Sequence, residues 1–215
     1  MSEQTLVNKL LIAFTRIFQG VIRVFTSKKF YWKFFPRFIE TLDLIYEAPV
    51  GEKTVRFYCN GELARWRAEN LLTEEPETIA WIDDFQPDDV LLDIGANIGA
   101  YTLYAAAVRG IRVIAIEPST ENFATLCRNI RENYVSHLVY PFCVAANDCE
   151  EVMTLFMHYG ALAAGGSGAV FGTDRLGDNE ILEVKGKQHT VGFSMDNLIK
   201  VFNVPFPTQM KMDVL

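Results

Sequence analysis

Two acidic residues and the glycine turn between them carry the clearest chemistry in this chain of 215 residues. Asp93 is followed by Gly95-Ala96-Asn97-Ile98-Gly99, and Glu117 closes the next apolar run, Val113-Ile114-Ala115-Ile116. Gly95 and Gly99 let the backbone turn tightly and come close to a ligand, because a Cβ there would clash or forbid the φ required. Asp93 sets a carboxylate beside the opening, where a ligand bearing an ammonium or sulfonium charge is favoured. Glu117 is the acid expected to accept hydrogen bonds from the two ribose hydroxyls of an adenosine-containing ligand. A nicotinamide or flavin dinucleotide would also want a glycine turn and such an acid, but in the form Gly-x-Gly-x-x-Gly. Here Ala96-Asn97 stand where the second glycine would admit a pyrophosphate. A nicotinamide-dependent enzyme is therefore the alternative enzymatic reading.

The elements around these residues must place both acids on one side of a sheet. From Asp89 the chain alternates strand, turn, helix, strand, helix, strand, the signature of a parallel sheet. The apolar runs predict strands over Val90–Ile94, Val113–Ile116 and Val139–Ala145, with a helix through Val108 closed by Gly110. A second helix presents Phe123, Leu126, Cys127 and Ile130 on one face. Before the sheet, Pro76 opens a helix with Ile79, Ile82 and Phe85 on one side, and Pro87 stops it. Thr54–Tyr58 reads as a strand running into a tight hairpin turn at Asn60-Gly61. Past Asp148, Met153–Phe156 reads as a strand, Ala161–Gly172 as a glycine-rich loop near the site, Met195–Val201 as a short helix, and Gln209–Val214 as a further buried strand.

Three stretches then give a more specific likeness: Glu75 to Phe85 (EPETIAWIDDF), Leu92 to Leu103 (LDIGANIGAYTL) and Ile116 to Phe123 (IEPSTENF), joined later by Ser194 to Ile199 and Lys211 to Val214. Together they resemble the FkbM-type methyltransferases over roughly residues 45–214. The resemblance implies an α/β, Rossmann-like methyltransferase fold with a parallel central sheet, S-adenosylmethionine as methyl donor, and O-methylation of a hydroxyl on a sugar, glycan or natural product. By the same resemblance Asp93, Gly95, Ala96, Asn97 and Gly99 would border the methionine part of the cofactor, and Glu117 its ribose. Ala146, Asn147 and Asp148 would sit near the adenine, and Asp213 would face the methyl group. Asp213 is the favoured candidate for the general base, with His158 and His189 as the other groups able to titrate usefully. The chain stops at Leu215, where the resemblance would continue with a glycine and another acid, so the sheet is expected to be truncated at its C-terminus.

Charge divides the chain. Residues 1–40 carry Lys9, Arg16, Arg23, Lys28, Lys29, Lys33 and Arg37 against Glu3 and Glu40, while the whole chain has a formal net charge of −7. That acidic balance argues against nucleic acid as a partner. Lys9, Arg16 and Arg23 recur every seven residues in an apolar run, which marks an amphipathic helix rather than a membrane span or a cleaved signal. Basic residues interleave with Phe30, Tyr31, Trp32, Phe34 and Phe35, so residues 6–37 fit either an anionic membrane surface or a packing partner. Cys59, Cys127, Cys143 and Cys149 show neither metal-ligand spacing nor a disulfide framework. The expected organisation is a basic helical arm over 1–40, a lead-in β element and helix over 41–88, and the cofactor-binding domain over 89–215. A cytoplasmic location follows from the free thiols, with the arm allowing a peripheral position at the inner membrane face. A non-catalytic, membrane-associated scaffold is the third reading.

Overall fold

The structure, a computed structural model, describes residues 3–25, 27–157, 164–167, 169–173, 175–176, 180–181 and 183–213. The chain divides into two units, residues 1–43 and 44–215.

The first unit is helical. Helix α1 spans Glu3–Phe25 and α2 spans Lys28–Thr41, with the Ser27 hydroxyl accepting the Phe30 N–H at 3.2 Å as an N-cap. No residue of α2 is buried, and Phe30, Phe34 and Phe38 stack along one side at centroid spacings of 6.0 and 5.8 Å. Among the described residues no helix is long and apolar enough to cross a membrane.

The second unit begins with a hairpin, β1 (Ile45–Val50) and β2 (Lys53–Tyr58), in antiparallel register. The hairpin turn lies at Gly51-Glu52, where Gly51 takes φ +58°, and not at Asn60-Gly61. Gly61 is extended and caps α3 (Glu62–Glu69), a helix that Arg65 braces through ion pairs with Glu62 and Glu69. Helix α4 (Pro76–Asp83) follows and buries Ile79 and Ile82, as the Pro76 pattern predicts.

Next come β3 (Val90–Ile94), α5 (Ala100–Leu103) continuing into a π-helical turn over Tyr104–Val108, β4 (Arg112–Ile116), α6 (Thr120–Glu132) and β5 (Val139–Phe142). The expected strand over Val139–Ala145 breaks after Phe142, and β6 (Ala145–Ala146) joins a different sheet. That second sheet also holds β7 (Glu151–Met157), β8 (Ala169–Phe171) and β11 (Gly186–Phe193), in the order β6-β11-β7-β8. Among the described residues, strands β9 (Arg175–Leu176) and β10 (Glu180–Ile181) pair only with each other. Helix α7 (Met195–Phe202) leads to β12 (Gln209–Met212).

The central sheet is wholly parallel, in the order β12-β3-β4-β5. Every residue of β3 is buried, as expected for a strand covered on both faces. Leu91, Val113 and Ala115 pack with Ile98, Leu103, Leu126 and the hairpin residues Val55 and Phe57. Val90, Leu92, Ile94, Ile114 and Ile116 face the other way and pack with Leu198 of α7. Strand β12 departs from the buried strand read from the sequence: it is an edge of this sheet with alternating exposure, and Met210 and Met212 are each 57% exposed. Lys211, on the intervening position, pairs in register with Asp93.

Candidate functional site

The parallel strands deliver their functional residues to one edge, the carboxyl ends, where open α/β sheets hold ligands. Ile94 of β3, Ile116 and Glu117 at the end of β4, and Asp213 just beyond β12 all line one cavity of about 300 Å³.

Glu117 lines this cavity although it is only 5% exposed. Its Oε2 accepts the Asn97 N–H at 2.8 Å and its Oε1 accepts the Ser119 N–H at 2.9 Å, with the Asn122 side-chain amide at 3.4 Å. Burial pushes the carboxyl above the usual glutamate range, while these donors pull it back. A carboxylate oxygen accepts more than one hydrogen bond, so both oxygens retain capacity for hydroxyls in the cavity.

The turn between β3 and α5 has no amide left for a phosphate. Gly95 and Ala96 both donate to the Ile116 carbonyl at 2.9 Å, Asn97 donates to Glu117, Ile98 to the Asn97 Oδ1, and Gly99 to the Ala96 carbonyl. A dinucleotide pyrophosphate needs such N–H groups free. Gly99, at φ +94°, enters α5 so closely against Leu126 that a Cβ would lie 2.5 Å from its Cδ1. The Asn129 side chain holds the turn from below by donating to the Ile98 carbonyl at 2.8 Å, and its oxygen accepts the Tyr58 N–H at 2.7 Å. The turn and the lead-in hairpin are thereby fixed by one side chain of α6.

Asp93 stands behind the turn. It is 1% exposed and does not line the cavity; its Oδ2 accepts the Thr102 hydroxyl at 2.6 Å, tying β3 to α5. Burial raises its carboxyl well above the aspartate range, opposed by Thr102 and by the Lys211 charge. Its Oδ1 is buried with no hydrogen-bond partner among the described residues. A cationic ligand at Gly95 would favour the charged form of this carboxyl, and an anionic one would disfavour it.

A short strap carrying Gly165 and Gly166 closes one side. The Gly166 carbonyl accepts from the Asn97 amide at 2.9 Å and the Asn122 amide at 3.1 Å, while the Gly165 N–H donates to the Asn122 Oδ1 at 2.9 Å. Gly165 takes φ +85° against the backbone of Leu63 and Ala64. Residues 161–163 and 168 of the glycine-rich stretch lie outside the described residues.

Beyond Glu117 the lining becomes apolar, with Pro118, Ala145, Ala146, Leu155, Ala169 and Phe171, a surface suited to a flat heteroaromatic ring. The charged lining is Glu74, Glu117 and Asp213 against Arg67, an excess of acid that again suits a cation. These features together fit S-adenosylmethionine.

The remaining expected residues fall as follows. Ala96 and Gly99 shape the turn without lining the cavity; Asp148 is exposed and away from the lining, whereas its neighbour Ala146 is part of it. Asp213 lines the cavity with a side chain 64% exposed, held at the backbone by its N–H to the Ile94 carbonyl at 2.9 Å. His189 sits exposed on β11, its Nδ1 3.4 Å from the Thr154 hydroxyl, outside the cavity lining. His158 lies outside the described residues. All four thiols are free, and no group of three metal-ligating side chains is gathered among the described residues. Sequence reasoning missed Arg67, Glu74, Asn122 and the apolar pair Leu155 and Phe171. Only Asn122 carried a signal, its place as the third residue of the helix that follows Glu117.

No curated protein matches this chain. Among solved structures, partial likeness extends to P. horikoshii TYW2 in complex with MeSAdo (20% identity, 50% of this chain and 38% of that chain, TM-score 0.36). It extends also to the SAM-dependent methyltransferase from Agrobacterium tumefaciens (11% identity, 49% and 34%, TM-score 0.36), and to M. jannaschii tRNA m1G37 methyltransferase (17% identity, 46% and 29%, TM-score 0.34). The chain thus spans less than two fifths of the length of each. Residues 93–214, more than half of the chain, match the Methyltransferase FkbM domain, whose methyl donor is S-adenosylmethionine, and the chain belongs to that family.

Proposed function

We propose that the protein transfers a methyl group from S-adenosylmethionine to a hydroxyl oxygen of a small molecule or glycan. The observation that carries this reading is the cleft at the strand ends, where a buried Glu117, an excess of carboxylates and a turn whose amides are already engaged suit a cationic adenosyl ligand better than a phosphate-bearing one. The cofactor supplies an electrophilic methyl group on a sulfonium. The chain's share is to hold the acceptor oxygen in line with it, to exclude water through the strap, and to remove the hydroxyl proton. Asp213 is the residue we assign to that proton: its carboxylate borders the cavity and takes the proton as the new C–O bond forms and the C–S bond breaks. Lys211, at 3.5 Å, lies beside it and limits its freedom.

Incubation with methyl-labelled S-adenosylmethionine and polyhydroxylated acceptors should give label in a base-stable ether that Asp213→Asn reduces by about a hundredfold or more, within the range for general bases. Label that is lost in mild base, as from a carboxyl ester, would contradict hydroxyl methylation.

The arm supports a further part of the proposal, a peripheral position on an anionic membrane. Helix α2 exposes Phe30, Trp32, Phe34 and Phe38, and Lys33 and Arg37 line the same groove as the Phe30, Phe34 and Phe38 rings. The protein should float with vesicles containing phosphatidylserine at low salt and leave them at high salt. Retention in the soluble fraction at low salt would contradict it.

A further inference from the structure

One charge pair in the cleft belongs to neither acid of the sequence motif. Arg67, in the last turn of α3, and Glu74, in the segment before α4, both line the cavity, with the Arg67 Nη1 3.3 Å from the Glu74 Oε1. Their side chains are 18% and 25% exposed, so each is largely withdrawn from bulk water yet reachable from the cavity. Arg67 is the one cation among the described residues that line it. Lys211, nearby, is instead turned to Asp213 at 3.5 Å, Glu75 at 3.9 Å and the Tyr101 ring at 4.8 Å.

The position of the pair along the cleft follows from the strand order. The apolar lining lies past β4 and β5, Glu117 ends β4, and the turn follows β3. Asp213 follows β12 at the far edge and lines the same cavity as Arg67 and Glu74, while the neighbouring Lys211 of β12 lies over the Tyr101 ring of α5. An adenosyl ligand with its base over Ala145 and its ribose at Glu117 therefore extends its 5′ substituent toward Arg67 and Glu74.

A cation and an anion held side by side are the complement of a zwitterion. The pair is joined by a single contact rather than a two-point fork, which leaves donor and acceptor positions on both partners for a ligand. The Arg67 Nε donates to the Gly165 carbonyl at 2.6 Å, which fixes the plane of the guanidinium while leaving its far edge for a carboxylate. We propose that Arg67 and Glu74 form the receptor for the α-amino-acid end of the cofactor, Arg67 binding its carboxylate and Glu74 its ammonium. This assignment rests on the reading of the cleft as an S-adenosylmethionine site. In this arrangement Arg67 also joins the amino-acid end of the cofactor to Gly165 of the strap.

Two ligands differing only in the amino-acid end separate this assignment from its alternatives. Calorimetry should show the wild-type protein binding S-adenosylhomocysteine more tightly than 5′-methylthioadenosine, which lacks the zwitterion. Arg67→Met should weaken S-adenosylhomocysteine by about tenfold or more and leave 5′-methylthioadenosine within about twofold. Glu74→Gln should act in the same direction, and Arg67→Lys should recover part of the loss. Unchanged S-adenosylhomocysteine affinity in Arg67→Met would overturn the assignment, and so would an equal fall for both ligands, which would make Arg67 a strut for the strap alone. A wild-type protein that binds neither ligand would overturn the underlying cofactor reading, a distinct failure.

Discussion

Glu117→Ala is expected to weaken S-adenosylhomocysteine binding by about tenfold to a hundredfold. Hydrogen bonds to a charged partner contribute about 1.5–3 kcal/mol, and each 1.4 kcal/mol is a factor of ten in affinity. The change has a second consequence inside the protein. The Asn97 and Ser119 N–H groups lose their acceptor, and the turn that leads into α5 is left tied to β4 only through the Gly95 and Ala96 N–H groups on the Ile116 carbonyl. Where water cannot replace the carboxylate, each orphaned donor costs about 1–3 kcal/mol of stability. Glu117→Gln keeps one acceptor oxygen and should fall between the two. Calorimetry alongside urea denaturation checks both effects; a folded Glu117→Ala protein with wild-type affinity would remove Glu117 from the site.

Gly165→Ala should have the next largest effect, and for a steric reason. A Cβ at this position would meet the Ala64 nitrogen at 2.7 Å and the Leu63 carbonyl carbon at 2.8 Å, which are backbone atoms that cannot step aside. It would also hold a side chain at φ +85°, a strain of about 1–2 kcal/mol. The strap must lift, and its lifting takes the Gly166 carbonyl from Asn97 and Asn122 and the Gly165 carbonyl from Arg67. Ligand affinity should fall by about fivefold to thirtyfold if that strain is charged to the closed strap. Gly110→Ala is the matched control: φ is +74° but no atom of the described residues lies within 4 Å of the added Cβ, so it should cost stability and leave affinity unchanged. Equal affinities for the two variants would show that the strap does not shape the bound site.

What the sequence disclosed depended on whether a rule was local. The Gly95–Gly99 turn and Glu117 were legible because a strand, a tight turn and the acid of the next strand are set by short-range geometry. The Pro76 helix was legible because Pro76, Ile79, Ile82 and Phe85 repeat a start signal and one face. Asn60-Gly61 misled because a hairpin turn requires a second strand directly after it, whereas Glu62–Glu69 is a helix and Gly61 is extended. The actual turn at Gly51-Glu52 had only one glycine to announce it. The strand over Val139–Ala145 was read as one piece because apolar continuity does not reveal that Ala145-Ala146 pairs in parallel with Gly192-Phe193 of another sheet. Strand β11 itself, GKQHTVGF, mixes polar and apolar positions, yet its Gln188 holds the loop after Glu117 by bonding the Pro118 carbonyl at 2.7 Å. Arg67 and Gly165, far apart in sequence, meet only through the tertiary fold, so no local pattern foretold the closed side of the cleft.

The cleft's identity as an adenosyl site, rather than a dinucleotide site, is tested most directly by titrating S-adenosylhomocysteine and NADH separately into the same preparation. The arrangement of Glu117, the fully engaged turn amides and the acidic lining predicts saturable binding of S-adenosylhomocysteine and none of NADH. Binding of NADH alone, or of neither ligand by the folded protein, would contradict it.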